Sequence, residues 1–326
     1  MLAEMSPSEH PVDPAHRGQS SNAPNANCAN RGQTPIDTVD THPEPAPHQA
    51  GRGDAWLRAL AADQPVKSSH CAAIRYADTT FNNHACRLIA VVPDPHSPFP
   101  RARHGEIGLA EGWGLAQLIH DTIEADRNQP HQRTLIALVD VPSQAYGRLE
   151  ETQGLHQALA AAVSAWIQAR IAGHRVIGLI VGQAISGAYL AHGYQAHRLI
   201  ALDDPGVQLH AMGKASAARV TQRSIDALDE LAKTVPPMGY GIEHYKTLGL
   251  LWDTLHVDNA ERPSDEDCRA VIRRLTDAIE TPLTVAVDAL ERPGGGLRKA
   301  TDDVRARLQE LWSDPDKSMI PITAHR

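Results

Sequence analysis

Short runs of apolar residues alternate with longer amphipathic ones along most of this chain. Four runs read as strands: residues 87–92, stopped by Pro93, then 134–139, 176–181 and 198–202. Their apolar character is continuous rather than alternating, which predicts strands covered on both faces. Between them the spacing predicts helices. Residues 106–126 carry a stripe of Ile107, Ala110, Leu115, Leu118, Ile119 and Ile123. Residues 151–172 carry Leu155, Leu159, Ala162, Val163, Trp166, Ile167 and Ile171, and stop at Gly173. A shorter helix is expected from about Ser186 to about Ala196. Strands separated by helices in this way predict an α/β domain with parallel strands. Beyond Arg262 the pattern is charged and helical to about Glu280, followed by a glycine-rich break at 293–296 and a last short helix. No repeat of fixed period is present.

The amino-terminal stretch is different. Residues 6–52 hold eight prolines and only three large aliphatics, Val12, Ile36 and Val39, too little apolar surface to offset the entropy of ordering. The expected organisation is therefore a disordered extension over 1–53, a folded domain over 54–280 and a helical tail over 281–326. His10, His16, His42 and His48 fall at irregular spacing in the extension, as in a solvated tail rather than a metal site.

Composition narrows the function classes. At 326 residues, 42% hydrophobic and 21% charged, the chain has material for a real core. A net charge of −8 argues against binding the phosphate backbone of nucleic acids. No apolar run reaches membrane-spanning length, and the first residues lack a secretory signal. Cys28, Cys71, Cys86 and Cys268 are scattered without a CxxC pair, as for reduced thiols in the cytoplasm.

Three segments have the makings of chemistry, each following an apolar strand, where open α/β sheets place ligands. In Val181-Gly182-Gln183-Ala184-Ile185-Ser186-Gly187-Ala188-Tyr189-Leu190 a strand runs through small residues into a helix. Unpaired amides there suit an oxyanion, but Gly187 and Ala188 equally permit tight helix–sheet packing, and the segment alone leaves both readings open. In residues 140–151, Pro142, Gly147 and several polar side chains indicate a shaped loop, with Glu150 and Glu151 supplying negative charge to a first helical turn. In residues 202–214, Asp203 and Asp204 suit the Asp-Pro-Gly turn, and His210 is a candidate proton donor. Met212-Gly213-Lys214 lacks the Met-Lys-Met of a biotin acceptor. A dinucleotide fold needs GxGxxG and a hydrolase elbow GxSxG, and neither is present. His192, His197 and Asp203 would make a metal site only on paper; two histidines five apart on a helix diverge, so the expectation is a helix surface.

Residues 140–154 followed by Ser186-Gly187-Ala188-Tyr189 resemble the second half of acyl-CoA carboxylase carboxyltransferases, with an Asp-x-Pro loop, a long helix and a small-residue turn. Within that superfamily five runs are similar to the malonate decarboxylase γ-subunit family. They are Phe99-Pro100-Arg101-Ala102-Arg103-His104-Gly105-Glu106, Val139-Asp140-Val141-Pro142-Ser143-Gln144-Ala145-Tyr146-Gly147-Arg148, Ala191-His192-Gly193-Tyr194-Gln195-Ala196, Ala201-Leu202-Asp203-Asp204-Pro205-Gly206 and His210-Ala211-Met212-Gly213-Lys214. The resemblance spans about 56–259. Gln183 departs from it, since a Lys is common there.

The resemblance implies a crotonase-like α/β fold of repeated β-β-α units, like one carboxyltransferase half. It implies a subunit that pairs with a homologous β subunit and decarboxylates malonyl on an acyl carrier protein, giving the acetyl thioester and carbon dioxide without biotin or metal. A CoA-like prosthetic group would sit on the carrier, not on this chain, and a separate transferase subunit would load malonate. Under this reading Ser186 and Gly187 offer backbone amides to the departing carboxylate, while Ser143, Gln144 and Tyr146 shape the opposite wall. Ala188 and Tyr189 contact substrate, and His210, Tyr146 or water protonates the enolate. Two alternatives stand beside it: a Clp-peptidase-type serine hydrolase using Ser186 and His210, and a silent scaffold that only completes the partner's pocket.

Overall fold

The computed structural model describes residues 51–285, 290–292 and 299–313. Most of the extension expected over 1–53 and the glycine-rich 293–296 lie outside the described residues.

The sheet follows the order β1-β2-β3-β4-β5-β6-β8, with β7 paired to β5 off that path. Strands β1 (Lys67–Ser68), β2 (Ile74–Phe81) and β3 (His84–Val91) are antiparallel. From β3 onward the pairing is parallel, through β4 (Thr134–Val141), β5 (Val176–Ile185), β6 (Arg198–Leu202) and β8 (Asp253–Leu255). Strands β4, β5 and β6 are buried almost throughout, as their unbroken apolar runs require. Helices α2 (Leu109–Asp126) and α4 (Leu155–Ile171) pack on one another, and α1 (Arg52–Ala61) rests on β3, β4 and β5. Trp56 of α1 is fully buried and donates its indole N–H to Ala260 O at 2.9 Å. Helix α9 (Asp265–Glu280) opens on a reciprocal cap between Ser264 and Asp267.

Several expectations are revised. The first expected strand is β3, and an unexpected strand, β2, precedes it in a hairpin turned by Asn82 and Asn83 at φ 44° and 68°. The helix expected over 151–172 is two, α3 (Arg148–Thr152) and α4, broken at Gly154, whose φ of 84° is a left-handed value. The helix expected to reach about Ala196 is only α5 (Ser186–Ala191). Strand β5 runs four residues beyond its expected end because its last residues pair with β7 (Gln208–His210). Helices α6 (Lys214–Thr221), α7 (Ile225–Thr234) and α8 (Ile242–Thr247) occupy a stretch that the periodicity left unassigned, and α10 (Lys299–Ser313) is the last described element.

The chain after α9 is fastened to β6 by one buried residue. Arg198 is fully buried; it pairs with Glu291 and donates to Ala278 O at 2.8 Å, Thr281 O at 2.8 Å and Pro282 O at 2.7 Å.

Candidate functional site

Parallel pairing brings the carboxyl ends of β4, β5 and β6 to one edge of the sheet, so the three sequence segments converge there. The loop after β4 is pinned by a parallel bridge to Ile107: Ile107 N–H donates to Ser143 O at 3.1 Å and Ala145 N–H to Ile107 O at 2.9 Å. That holds Gln144 above the end of β5, where its Oε1 accepts from Gly187 N–H at 2.6 Å. On the other side β7 aligns His210 with Ile185, and Ser186 Oγ donates to Ala211 O at 3.2 Å.

Between these two holds, Ser186 adopts φ 64°, a left-handed conformation that costs a residue with a Cβ about 1 kcal/mol. A Cβ at Gly187 would lie 2.6 Å from Gln144 Oε1 and 3.2 Å from Leu159 Cδ1, so glycine is needed for the close approach. Ser186, Gly187, Ser143 and Gln144 are all half-buried, and Tyr146 is 41% exposed at the rim with the Arg101 guanidinium 5.9 Å from its ring centroid.

The geometry changes several roles. The Gly187 amide is not open to a ligand, because Gln144 holds it. Ala188 and Tyr189, expected to contact substrate, instead point into the core, at 0% and 3% exposure, with Tyr189 edge-on to Tyr194 at 5.4 Å. The reason is the shortness of α5: its first turn packs straight onto the sheet and α4. Burial raises the Tyr189 phenol well above its ordinary value, so it stays neutral.

His210 belongs to the framework. Its ring stacks on Tyr240 at 4.0 Å and 16°, Tyr240 donates to Met212 O at 3.0 Å, and His210 Nδ1 meets both N and O of Met212. Burial holds the imidazole's pKa below the usual 6.5, leaving it neutral at pH 7. With His210 Nδ1 engaged by Met212 and Ser186 Oγ turned to the Ala211 carbonyl, the Ser–His relay of a serine hydrolase is not assembled.

Sequence reasoning missed the support beneath the turn. Asp140 accepts from Gln183 N–H at 3.1 Å and Gly53 N–H at 3.3 Å, joining α1 to the irregular stretch where β4 and β5 change register. A Cβ on Gly182 would come within 2.1 Å of that carboxylate. Arg52 reaches Asp204 at 2.7 Å, and Asp204 in turn accepts from Gly206 N–H at 2.8 Å, as expected for the Asp-Pro-Gly turn. The signals were present: an Asp ending an apolar strand, and a glycine facing it on the next.

His192 and His197 are not on a helix surface as expected, but fully buried. His192 Nε2 bonds to Leu138 O at 3.0 Å and His197 Nδ1 accepts from Val176 N–H at 3.0 Å, so each spends a nitrogen on the sheet. Among the described residues no group of His, Cys, Asp and Glu is arranged to hold a metal. Nor is any helix among them long and apolar enough to cross a membrane. Two cavities of about 590 and 660 Å³ lie away from the turn, one beside Asp78, Asp126 and Arg133, the other beside Arg273 and Glu280.

Comparison with known proteins puts these features in context. A Pseudomonas malonate decarboxylase hetero-tetramer in complex with coenzyme A contains a chain 54% identical, covering 81% of this chain and 100% of that one, with a TM-score of 0.76. The Pseudomonas MdcD–MdcE hetero-dimer contains one 53% identical with the same coverage and a TM-score of 0.71. The malonyl-S-ACP:biotin-protein carboxyltransferase MADD of Malonomonas rubra is 36% identical over 154 residues, 46% of this chain, which spans 53% of that relative's length. Transcarboxylase 12S, 18% identical with a TM-score of 0.51 over 72% of this chain and 44% of its own, shares the carboxyltransferase fold. The crotonase-like α/β expectation is thereby met. Residues 102–312 match the family described as malonate decarboxylase gamma subunit, and the chain belongs to that family.

Proposed function

We propose that this chain is the γ half of a two-chain carboxy-lyase centre that decarboxylates malonyl carried on an acyl carrier protein, without biotin, in the cytoplasm. The acyl group would ride on a CoA-like prosthetic arm of the carrier, loaded by a separate transferase subunit, and the homologous β subunit would complete the cleft. Family membership and the two Pseudomonas assemblies support the pairing.

The observation that carries the reading is the strained Ser186 turn, held half-exposed at the strand ends by Gln144 on one side and Ala211 on the other. Strain kept in place by independent contacts points to function rather than packing. The reaction breaks the bond between the α-carbon and the carboxylate. Its electron pair becomes an enolate with charge on the thioester oxygen, and carbon dioxide leaves. Fixed hydrogen-bond donors matched to those charges lower the barrier. The β subunit would hold the thioester oxygen, and the wall formed by Ser143, Gln144 and the Ser186–Gly187 turn would face the carboxylate. With His210 neutral and tied through Nδ1 to Met212, Tyr146 or water is the better placed source of the proton returned to the α-carbon.

The test is to purify this chain with its β-type partner and carrier, and to follow carbon dioxide release from a malonyl thioester with and without avidin. Release unaffected by avidin supports the reading. An assembled complex that releases none sinks it, and inhibition by avidin would place the chemistry with the biotin-linked transfer of the Malonomonas relative.

A further inference from the structure

The hydrogen bond at Gly187 has a consequence for what faces the cleft. A carboxamide carries one acceptor and one donor group. The Gly187 N–H, 2.6 Å away, requires the oxygen of Gln144, which turns Nε2 the other way. Gln144 is half-buried, and its Nε2 has no hydrogen-bond partner among the described residues. The side chain is held at both ends, by Gly187 at its tip and by the Ile107 bridge on either side of its backbone.

We propose that Gln144 Nε2, and not the Gly187 backbone amide, is the donor this chain presents to the departing carboxylate. The inference rests on the decarboxylase reading above. In accepting from Gly187, the carboxamide becomes a more polarised donor at its nitrogen, since hydrogen bonds in a chain strengthen one another. The backbone amide thus acts through the side chain, and its position explains why Gly187 carries no Cβ. A glutamine that merely capped the turn would need only its oxygen, and a carboxylate at the same place would accept from Gly187 more strongly.

That difference defines the experiment, done on the full chain assembled with its partner subunits and read as carbon dioxide release from a malonyl thioester. Gln144→Glu keeps the acceptor for Gly187 but replaces the donor with a charged oxygen facing the carboxylate. We expect kcat to fall roughly 10²-fold at neutral pH with the melting temperature unchanged. The ratio to wild type should rise as pH falls toward about 4, where a protonated carboxyl again offers an O–H. Gln144→Leu should lose as much and show no such recovery. The proposal is overturned if Gln144→Glu matches wild type at neutral pH, or if its ratio to wild type is flat with pH. Should Gln144→Leu misfold, the Gln144→Glu profile still decides. A wild-type complex that assembles yet releases no carbon dioxide removes the decarboxylase reading itself, a different outcome from an active wild type with a silent substitution.

Discussion

Adding one methyl group at Gly187 separates the turn's chemistry from its stability. The Cβ of Gly187→Ala would sit 2.6 Å from Gln144 Oε1, where an ordinary C···O contact is roughly 3.3 Å, so the carboxamide must retreat by about 0.7 Å. Leu159 Cδ1, at 3.2 Å from the same point, leaves little room on the other side. Alanine favours the helix over glycine by up to about 1 kcal/mol, and mild overpacking costs about the same, so folding stability should change by no more than about 1 kcal/mol. Function is less forgiving, because displacing a positioning group by about 1 Å costs roughly 10²-fold in rate. Turnover of the assembled complex should therefore fall about 10- to 100-fold while the calorimetric melt hardly moves. Malonyl thioester turnover measured beside the melt checks both halves. Wild-type turnover in Gly187→Ala would refute the claim that the Gln144 to Gly187 contact sets the catalytic geometry.

Two further outcomes follow from buried groups outside the turn. Arg198→Met strands the buried Glu291 carboxylate and frees three carbonyls, so urea unfolding should show a loss of about 3–5 kcal/mol. The double substitution with Glu291→Gln should recover part of it, and a loss below about 1 kcal/mol would deny Arg198 its fastening role. His192 is fully buried, and burial pushes its pKa down from 6.5 to about 4. It is neutral when folded, whereas the unfolded chain takes up the proton first. Its contribution is therefore fully present above pH 6.5 and is lost as pH falls toward 4, amounting to about 3 kcal/mol. His192→Gln should flatten the stability curve in that window, and an unchanged acid slope would assign it to other groups.

The central strands were legible because burial on both faces writes an unbroken apolar run. Strand β6 matches the expected 198–202 to the residue, having nothing but apolar side chains between Arg198 and Asp203. Strand β5 overran its apolar run because Gln183, Ala184 and Ile185 are extended by pairing with β7, a partner more than twenty residues away that no local period reveals. The β2–β3 hairpin was missed because Arg75, Asp78 and the threonines break the apolar pattern of Ile74–Phe81, although the Asn82–Asn83 turn was readable. The buried histidines were misplaced for a related reason. Each is polar in sequence but spends one ring nitrogen on a strand's backbone, Leu138 O for one and Val176 N–H for the other.

The site was half legible, and the division follows range of contact. The strand-to-turn segment at Ser186 and the shaped loop after β4 announce themselves locally, through small residues and Pro142. What joins them does not, since Gln144 and Gly187 are 43 positions apart and the bond reverses the role of each. An amide expected to face a ligand is spent on a side chain, and the side chain expected to form a wall takes over as the outward group. The proposed β-type partner fits the same geometry. The turn is half-exposed, and Tyr146, Leu149 and Leu190 stand exposed on or beside the elements that form it. A donor set for a developing charge works best where water is excluded, and among the described residues Ser186 and Gly187 stay half-exposed. The Pseudomonas MdcD–MdcE hetero-dimer is an assembly in which a second chain could cover such a wall.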